Sequence, residues 1–169
     1  MTQAPGFDSL ATMDASDWLK EIQQQFAQGA FPKECVRCQE TELINGVSIR
    51  RHALEFDAKQ TRRDYLIVGG VLDNLCNSAC MTCNEHLSTR IGSLKSRQFP
   101  IINNTDSFWS LPLERIVHLD INGGEPSYSK NYKNILSNLP PNLRTLRLNT
   151  NCNIVLDELT DIAQRGVKV

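Results

Sequence analysis

The chain has 169 residues, of which 18 are Lys or Arg and 19 are Asp or Glu, so its formal net charge is −1. A chain of this length usually forms about one domain, and its 40% hydrophobic and 22% charged residues are ordinary for a globular protein. The near balance of charges argues against a nucleic-acid-binding or membrane-binding surface, which needs an excess of basic residues. No apolar run has the length of a transmembrane helix and the N-terminus lacks a signal-peptide pattern, so we expect a cytoplasmic protein.

One clear helix is predicted in the N-terminal third of the chain. Residues 1–16 are polar and small, and we expect them to be disordered. Residues 17–27 predict a helix, because large apolar side chains recur every four residues along one face. These side chains are Trp18, Ile22 and Phe26. Gly29 then favours the end of the helix.

Two cysteines, Cys35 and Cys38, follow this helix in a C-x2-C pair. We therefore treat residues 17–58 as a cysteine-bearing segment that precedes the rest of the chain. The strongly charged residues 55–64 predict a linker, and residues 59–169 form a second part with a different pattern.

This second part predicts a repeated strand–loop–helix pattern. Three short apolar runs predict strands over 65–72, 115–121 and 143–148, and the nearly continuous first run indicates a strand buried on both faces. Predicted helices follow them over 84–95, 127–139 and 154–164, and a fourth strand begins at residue 166. The repetition indicates an α/β fold with a parallel sheet.

Three loops of this pattern carry chemically distinctive residues. They are residues 76–83, 123–126 and 149–152, and each directly follows one of the predicted strands. Because the loops after parallel strands gather at one edge of the sheet, we expect the three loops to build one site.

The first of these loops contains a C-x3-C-x2-C motif formed by Cys76, Cys80 and Cys83. Structural zinc takes four ligands, and a four-iron cluster usually takes one cysteine for each iron. Three thiolates would therefore leave one iron open to a substrate or cofactor. One alternative is a zinc site completed by a remote ligand such as His86 or Cys152, although we expect Cys152 to be a small buried side chain. The other is that the three thiols are buried and bind no metal.

This cysteine motif after the first strand, together with a Gly-Gly-Glu-Pro motif after the second, resembles the radical S-adenosylmethionine superfamily. The resemblance implies a partial (β/α) barrel, of which residues 59–169 would be the N-terminal part. It implies that the three cysteines bind a [4Fe–4S] cluster. It also implies that the glycine loop receives the methionine ammonium group of S-adenosylmethionine, and the residues concerned are Gly123, Gly124, Glu125 and Pro126.

The segment before the barrel resembles that of twitch domain-containing radical SAM proteins. The residues that carry this resemblance are Trp18, Gly29, Pro32, Cys35, Cys38, Glu42, Gly46, Ser48 and Arg50. It implies that Cys35 and Cys38 supply part of an auxiliary iron–sulfur cluster. The alternative interpretation of the C-x2-C spacing is a small zinc or redox site.

The resemblance implies an enzyme that reductively cleaves S-adenosylmethionine to a 5′-deoxyadenosyl radical, which abstracts hydrogen from a small-molecule or peptide substrate. An electron donor such as a flavodoxin or ferredoxin would reduce the cluster. The sequence assigns no catalytic residue. Because the superfamily barrel commonly has six units and only three are present here, we expect the chain to be a fragment.

The third loop departs from the superfamily pattern. Asn149-Thr150-Asn151-Cys152 stands where a Thr-Asn-Gly turn is common, and the resemblance implies that Asn149 and Asn151 face the cofactor. The alternative is that these two asparagines only form hydrogen bonds with their own backbone, as is common in turns. Thr82 likewise stands where an aromatic or large apolar residue usually packs on the adenine.

Two other functions remain open. The first is a zinc-binding or iron–sulfur electron-transfer protein. The second is an interaction module, because the spacing of Leu143, Leu146, Leu148 and Asn151 matches a leucine-rich repeat that recurs in part 27 residues earlier.

Overall fold

The structure is a computed structural model that describes residues 10–59, 64–95 and 99–169. It divides into two compact units, Met1–Arg63 and Asp64–Val169. No helix in the described ranges combines the length and the apolar character needed to cross a membrane.

The first unit is helical. Its helices are α1 (Leu10–Ala15), α2 (Asp17–Ala27), α3 (Val36–Asn45) and α4 (Ile49–Ala58), and a 3-10 turn over Lys33–Cys35 leads into α3. The helix predicted over 17–27 is confirmed as α2. It begins where the Ser16 hydroxyl accepts a hydrogen bond from the Leu19 N–H at 3.2 Å, which satisfies one of the free N–H groups of the first turn.

Two expectations for this unit need correction. Residues 10–15, where we expected disorder, form α1, while residues 1–9 lie outside the described residues. The expected linker over 55–64 is helical as far as Ala58, and residues 60–63 lie outside the described residues. Helix α4 buries none of its residues, so its high charge is compatible with a helix. Its start is signalled by Ser48, whose hydroxyl accepts from the Arg51 N–H at 3.1 Å.

The second unit is an α/β fold built on a three-stranded parallel sheet. The strands are β1 (Leu66–Gly70), β2 (Ile116–Ile121) and β3 (Thr145–Leu148), in the order β1-β2-β3. The helices are α5 (Thr89–Lys95), α6 (Thr105–Trp109), α7 (Lys130–Ser137) and α8 (Glu158–Gln164). Lys168 makes a single parallel bridge to Thr145, beside β3, where the sequence predicts a fourth strand.

The core of this unit lies on one face of the sheet. Leu119 and Ile121 of β2 are fully buried against Tyr132 and Ile135 of α7 and Ile162 of α8. Leu146 of β3 belongs to the same buried cluster, so β2 and β3 share one core.

The prediction that the first strand is buried on both faces was wrong. Ile67 is 49% exposed, and burial alternates along β1 because this strand lies at an edge of the described sheet and is packed on one face. A continuous apolar run is therefore not sufficient evidence for a central strand.

Candidate functional site

The three loops expected to meet at the sheet edge line one cleft of about 280 Å³. The cleft lies within the second unit, at the carboxyl ends of the three strands. Its lining residues are Cys76, Ser78, Cys80, Thr82, Cys83, Leu87, Gly123, Gly124, Glu125, Asn149, Thr150 and Asn151. Every predicted cluster or cofactor residue of the second unit is in this set except Pro126, which is buried.

The three thiols of the C-x3-C-x2-C motif differ in exposure. Cys80 is exposed, while Cys76 and Cys83 are half-buried. The Cys76 sulfur accepts a hydrogen bond from the Ser78 N–H at 3.4 Å, and the Cys76 N–H donates to the Thr89 hydroxyl at 3.1 Å. The loop is thus tied to the start of α5 and presents its sulfur atoms to the cleft.

The glycines of the second loop are required by close packing against the first loop. Gly123 and Gly124 have φ values of +76° and +62°, which favour glycine. A Cβ on Gly124 would lie 2.7 Å from the Asp73 carbonyl oxygen. The Gly124 N–H donates to the Leu87 carbonyl at 2.7 Å, and the following N–H, of Glu125, donates to the Leu75 carbonyl at 2.9 Å.

The Glu125 side chain joins the second and third loops. The residue is 2% exposed, and one carboxylate oxygen accepts from the Ser127 hydroxyl and the Thr150 hydroxyl, each at 2.6 Å. The other oxygen accepts from the Asn151 N–H at 2.7 Å. Burial acts to raise the pKa of Glu125, but the hydrogen bonds from Ser127, Thr150 and Asn151 outweigh it and hold the pKa below its ordinary value.

The two asparagines of the third loop have different surroundings. The Asn151 amide donates to the Ser78 hydroxyl at 2.7 Å and to Asn77 Oδ1 at 3.0 Å, so it connects the third loop to the cysteine loop. Asn149 is exposed, and its amide bonds to the Asn122 side chain. Both residues line the cleft, and both amides are already paired within the chain.

Sequence reasoning missed the buried polar residues that support these loops. Asp73 is 4% exposed and accepts from the Ser129 hydroxyl and the Asn131 amide, each at 2.7 Å. The Tyr132 hydroxyl donates to the Asp73 carbonyl at 2.8 Å, and burial raises the pKa of Tyr132 to about 12. The available signal was the Asp73-Asn74 pair, because Asp and Asn after an apolar run are typical of a turn, although the sequence does not show that this turn is buried.

Cys152 does not take the expected buried position. It is exposed, and it is the only non-glycine residue in the described ranges with a positive φ, +55°. The turn thus has the backbone conformation that a glycine would adopt without strain. The Cys152 N–H donates to the Thr150 hydroxyl at 3.1 Å.

The two cysteines of the first unit lie at the start of α3. Cys35 ends the 3-10 turn, Cys38 lies on the first turn of α3, and both are half-buried. Burial raises the pKa of Cys35, with smaller contributions in the same direction from Cys38 and Glu34, while Arg50 acts in the opposite direction.

In the part of the chain that the structure describes, no three His, Cys, Asp or Glu side chains converge closely enough to hold a metal ion. A single metal ion needs all of its ligands around one point. Thiolates that hold a four-iron cluster each bind a different iron, so they stand further apart.

In comparisons with known proteins, no family model, curated protein or solved structure matches this chain. The functional argument therefore rests on its own residues and their geometry.

Proposed function

We propose that the second unit is the cofactor-binding part of a radical S-adenosylmethionine enzyme. In this proposal, Cys76, Cys80 and Cys83 hold a [4Fe–4S] cluster, and S-adenosylmethionine binds in the cleft that the cysteines share with the glycine loop. The observation that carries the proposal is this shared cleft, because two motifs 40 residues apart in the sequence line the same space.

The chemistry of the side chains fits a cluster. Thiolates are soft ligands that suit iron–sulfur clusters, and the three cysteines are not committed to disulfides. With three protein ligands, one iron keeps an open position for a cofactor. When bound, the cluster and S-adenosylmethionine would supply reductive cleavage and the hydrogen abstraction that follows.

The protein would bind and orient the cofactor through its preformed loops. Glu125 remains ionised at neutral pH because hydrogen bonds lower its pKa, so it places a negative charge at the cleft that favours an ammonium group. Its oxygens already accept hydrogen bonds from Ser127, Thr150 and Asn151, so we propose that it acts mainly by holding the loops in position.

We further propose that the sheet is the first part of a partial (β/α) barrel. The strand order β1-β2-β3 follows the chain without a reversal, as in a barrel. The bridge between Lys168 and Thr145 extends the same order beyond β3. A doubly wound sheet would instead reverse its strand order at a switch point.

The proposal is tested by electron paramagnetic resonance of the chain after anaerobic reconstitution with iron and sulfide and reduction with dithionite. We expect a cluster signal that shifts when S-adenosylmethionine is added. The triple variant Cys76→Ala, Cys80→Ala, Cys83→Ala should lose the signal, while the matched control Cys152→Ala should keep it.

Two results would contradict the proposal. A cluster signal that does not change when S-adenosylmethionine is added would favour an electron-transfer protein. A folded sample that binds zinc and no iron under the same conditions would favour a zinc site.

A further inference from the structure

The first unit holds a second pair of thiols that the proposed cluster does not use. Cys35 has φ −100° and ψ 3° and caps α3, and Cys38 follows three residues later on the first turn of that helix. Side chains three residues apart on a helical turn are neighbours, with Cβ atoms about 5–6 Å apart. A disulfide needs a somewhat shorter Cβ separation of about 3.5–4.5 Å, so a small adjustment of the first turn would join the two sulfur atoms.

The ion pair between Arg50 and Glu42 lies near this thiol pair. The Arg50 guanidinium acts electrostatically on both cysteines. It is held in place by Glu42, which accepts from Arg50 Nε at 3.0 Å, and it lies 4.8 Å above the centre of the Phe31 ring. Because both thiols are free and half-buried, a small disulfide reagent can reach them.

From this arrangement we infer that Cys35 and Cys38 form a reversible disulfide by exchange with a low-molecular-weight disulfide such as oxidised glutathione. One cysteine thiolate attacks a sulfur of glutathione disulfide, which forms a mixed disulfide and releases one glutathione thiolate. The second cysteine thiolate attacks the protein sulfur of that mixed disulfide and releases the other glutathione thiolate. Two protein thiols are oxidised, one glutathione disulfide is reduced to two thiols, and the two protons pass to the released thiolates.

The sequence offers a direct test, because trypsin cleaves between the two cysteines. Cleavage after Lys33, Arg37 and Arg50 yields the peptides 34–37 and 38–50, each with one cysteine. The full chain is equilibrated in glutathione buffers of increasing disulfide content, quenched by alkylation, digested and analysed by mass spectrometry. We expect the two peptides to be joined in oxidising buffer and separate, with both cysteines alkylated, in reducing buffer.

Matched variants make the outcome specific. In Cys35→Ser, peptide 38–50 should carry a mixed glutathione disulfide and no linked pair. The Cys76→Ala, Cys80→Ala, Cys83→Ala variant should still form the linked pair, which separates this inference from the proposed cluster. If the wild-type chain yields only mixed disulfides, links to other cysteines or alkylated thiols in the most oxidising buffer, the inference is overturned.

Discussion

The Asn151 backbone N–H donates to the Glu125 carboxylate at 2.7 Å, and this bond joins the loop after β3 to the loop after β2. The same carboxylate accepts from Thr150, so two consecutive residues of the third loop depend on one buried side chain. A protonated carboxyl group has fewer acceptor positions, and an amide would turn an N–H towards one of these donors. The shape of the cleft therefore depends on the charge of Glu125.

We expect Glu125→Gln to destabilise the chain by about 2–3 kcal/mol, because the amide leaves buried donors poorly paired. The measurement is the free energy of unfolding in urea at neutral pH. The matched control is Glu114→Gln, which makes the same change at an exposed position and should have little effect. Equal stability of the two variants would contradict the role we assign to Glu125.

Stability should also depend on pH through this residue. The folded state lowers the pKa of Glu125 from its ordinary value of 4.5, so the ionised carboxylate contributes its full stability above that value. The contribution is lost as the pH falls through the lower folded-state pKa. The difference in Tm between wild type and Glu125→Gln should therefore narrow as the pH drops below 4.5, and a constant difference would show that the carboxylate charge is not responsible.

Gly124 of the glycine loop and Gly166, which follows α8, offer a pair of matched substitutions. Gly124 and Gly166 both have positive φ values, but a Cβ at Gly124 would lie 2.7 Å from a backbone oxygen, whereas one at Gly166 would meet nothing within 4 Å. We expect Gly166→Ala to cost about 1 kcal/mol from backbone strain alone and Gly124→Ala to cost about 2 kcal/mol more. Urea unfolding of both variants measures the difference, and similar losses would contradict the close packing.

Relief of strain at Cys152 should stabilise the chain. Cys152 has φ +55°, so we expect Cys152→Gly to raise the free energy of unfolding by about 0.5–1 kcal/mol, after allowance for the greater freedom of glycine in the unfolded chain. Cys152→Ala removes the same thiol but keeps the Cβ, and it should give no such gain. A gain in both variants would indicate that the thiol, and not the backbone, is the cause.

Helices with large apolar side chains along one face could be predicted from the sequence, whereas a highly charged helix could not. Helix α2 was predicted with its observed bounds because its apolar side chains recur every four residues. Helix α4 was missed although Ile49, Ala53 and Phe56 recur at helical spacing, because the charged residues between and after them resemble a linker. The burial of β1 was overestimated because apolar composition does not show whether a strand lies at the edge of a sheet.

The convergence of the three loops could be predicted as well, because parallel strands place their carboxyl ends together. The partners of each polar side chain could not, since they depend on contacts between residues far apart in the sequence. Glu125 is the clearest case. Its motif suggested a group that faces a ligand, whereas its oxygens mainly accept hydrogen bonds from neighbouring loops.

The bond between the Asn151 amide and Ser78 joins residues 73 positions apart in the chain. Closing so long a loop costs conformational entropy before the contact between its ends can stabilise it. Helices such as α7 and α8 form through local contacts and do not have this cost. During synthesis, Ser78 leaves the ribosome long before Asn151 does. The cysteine loop therefore cannot form its bond to Asn151 until the third βα unit is present. We expect the cleft to be among the last parts of the second unit to fold.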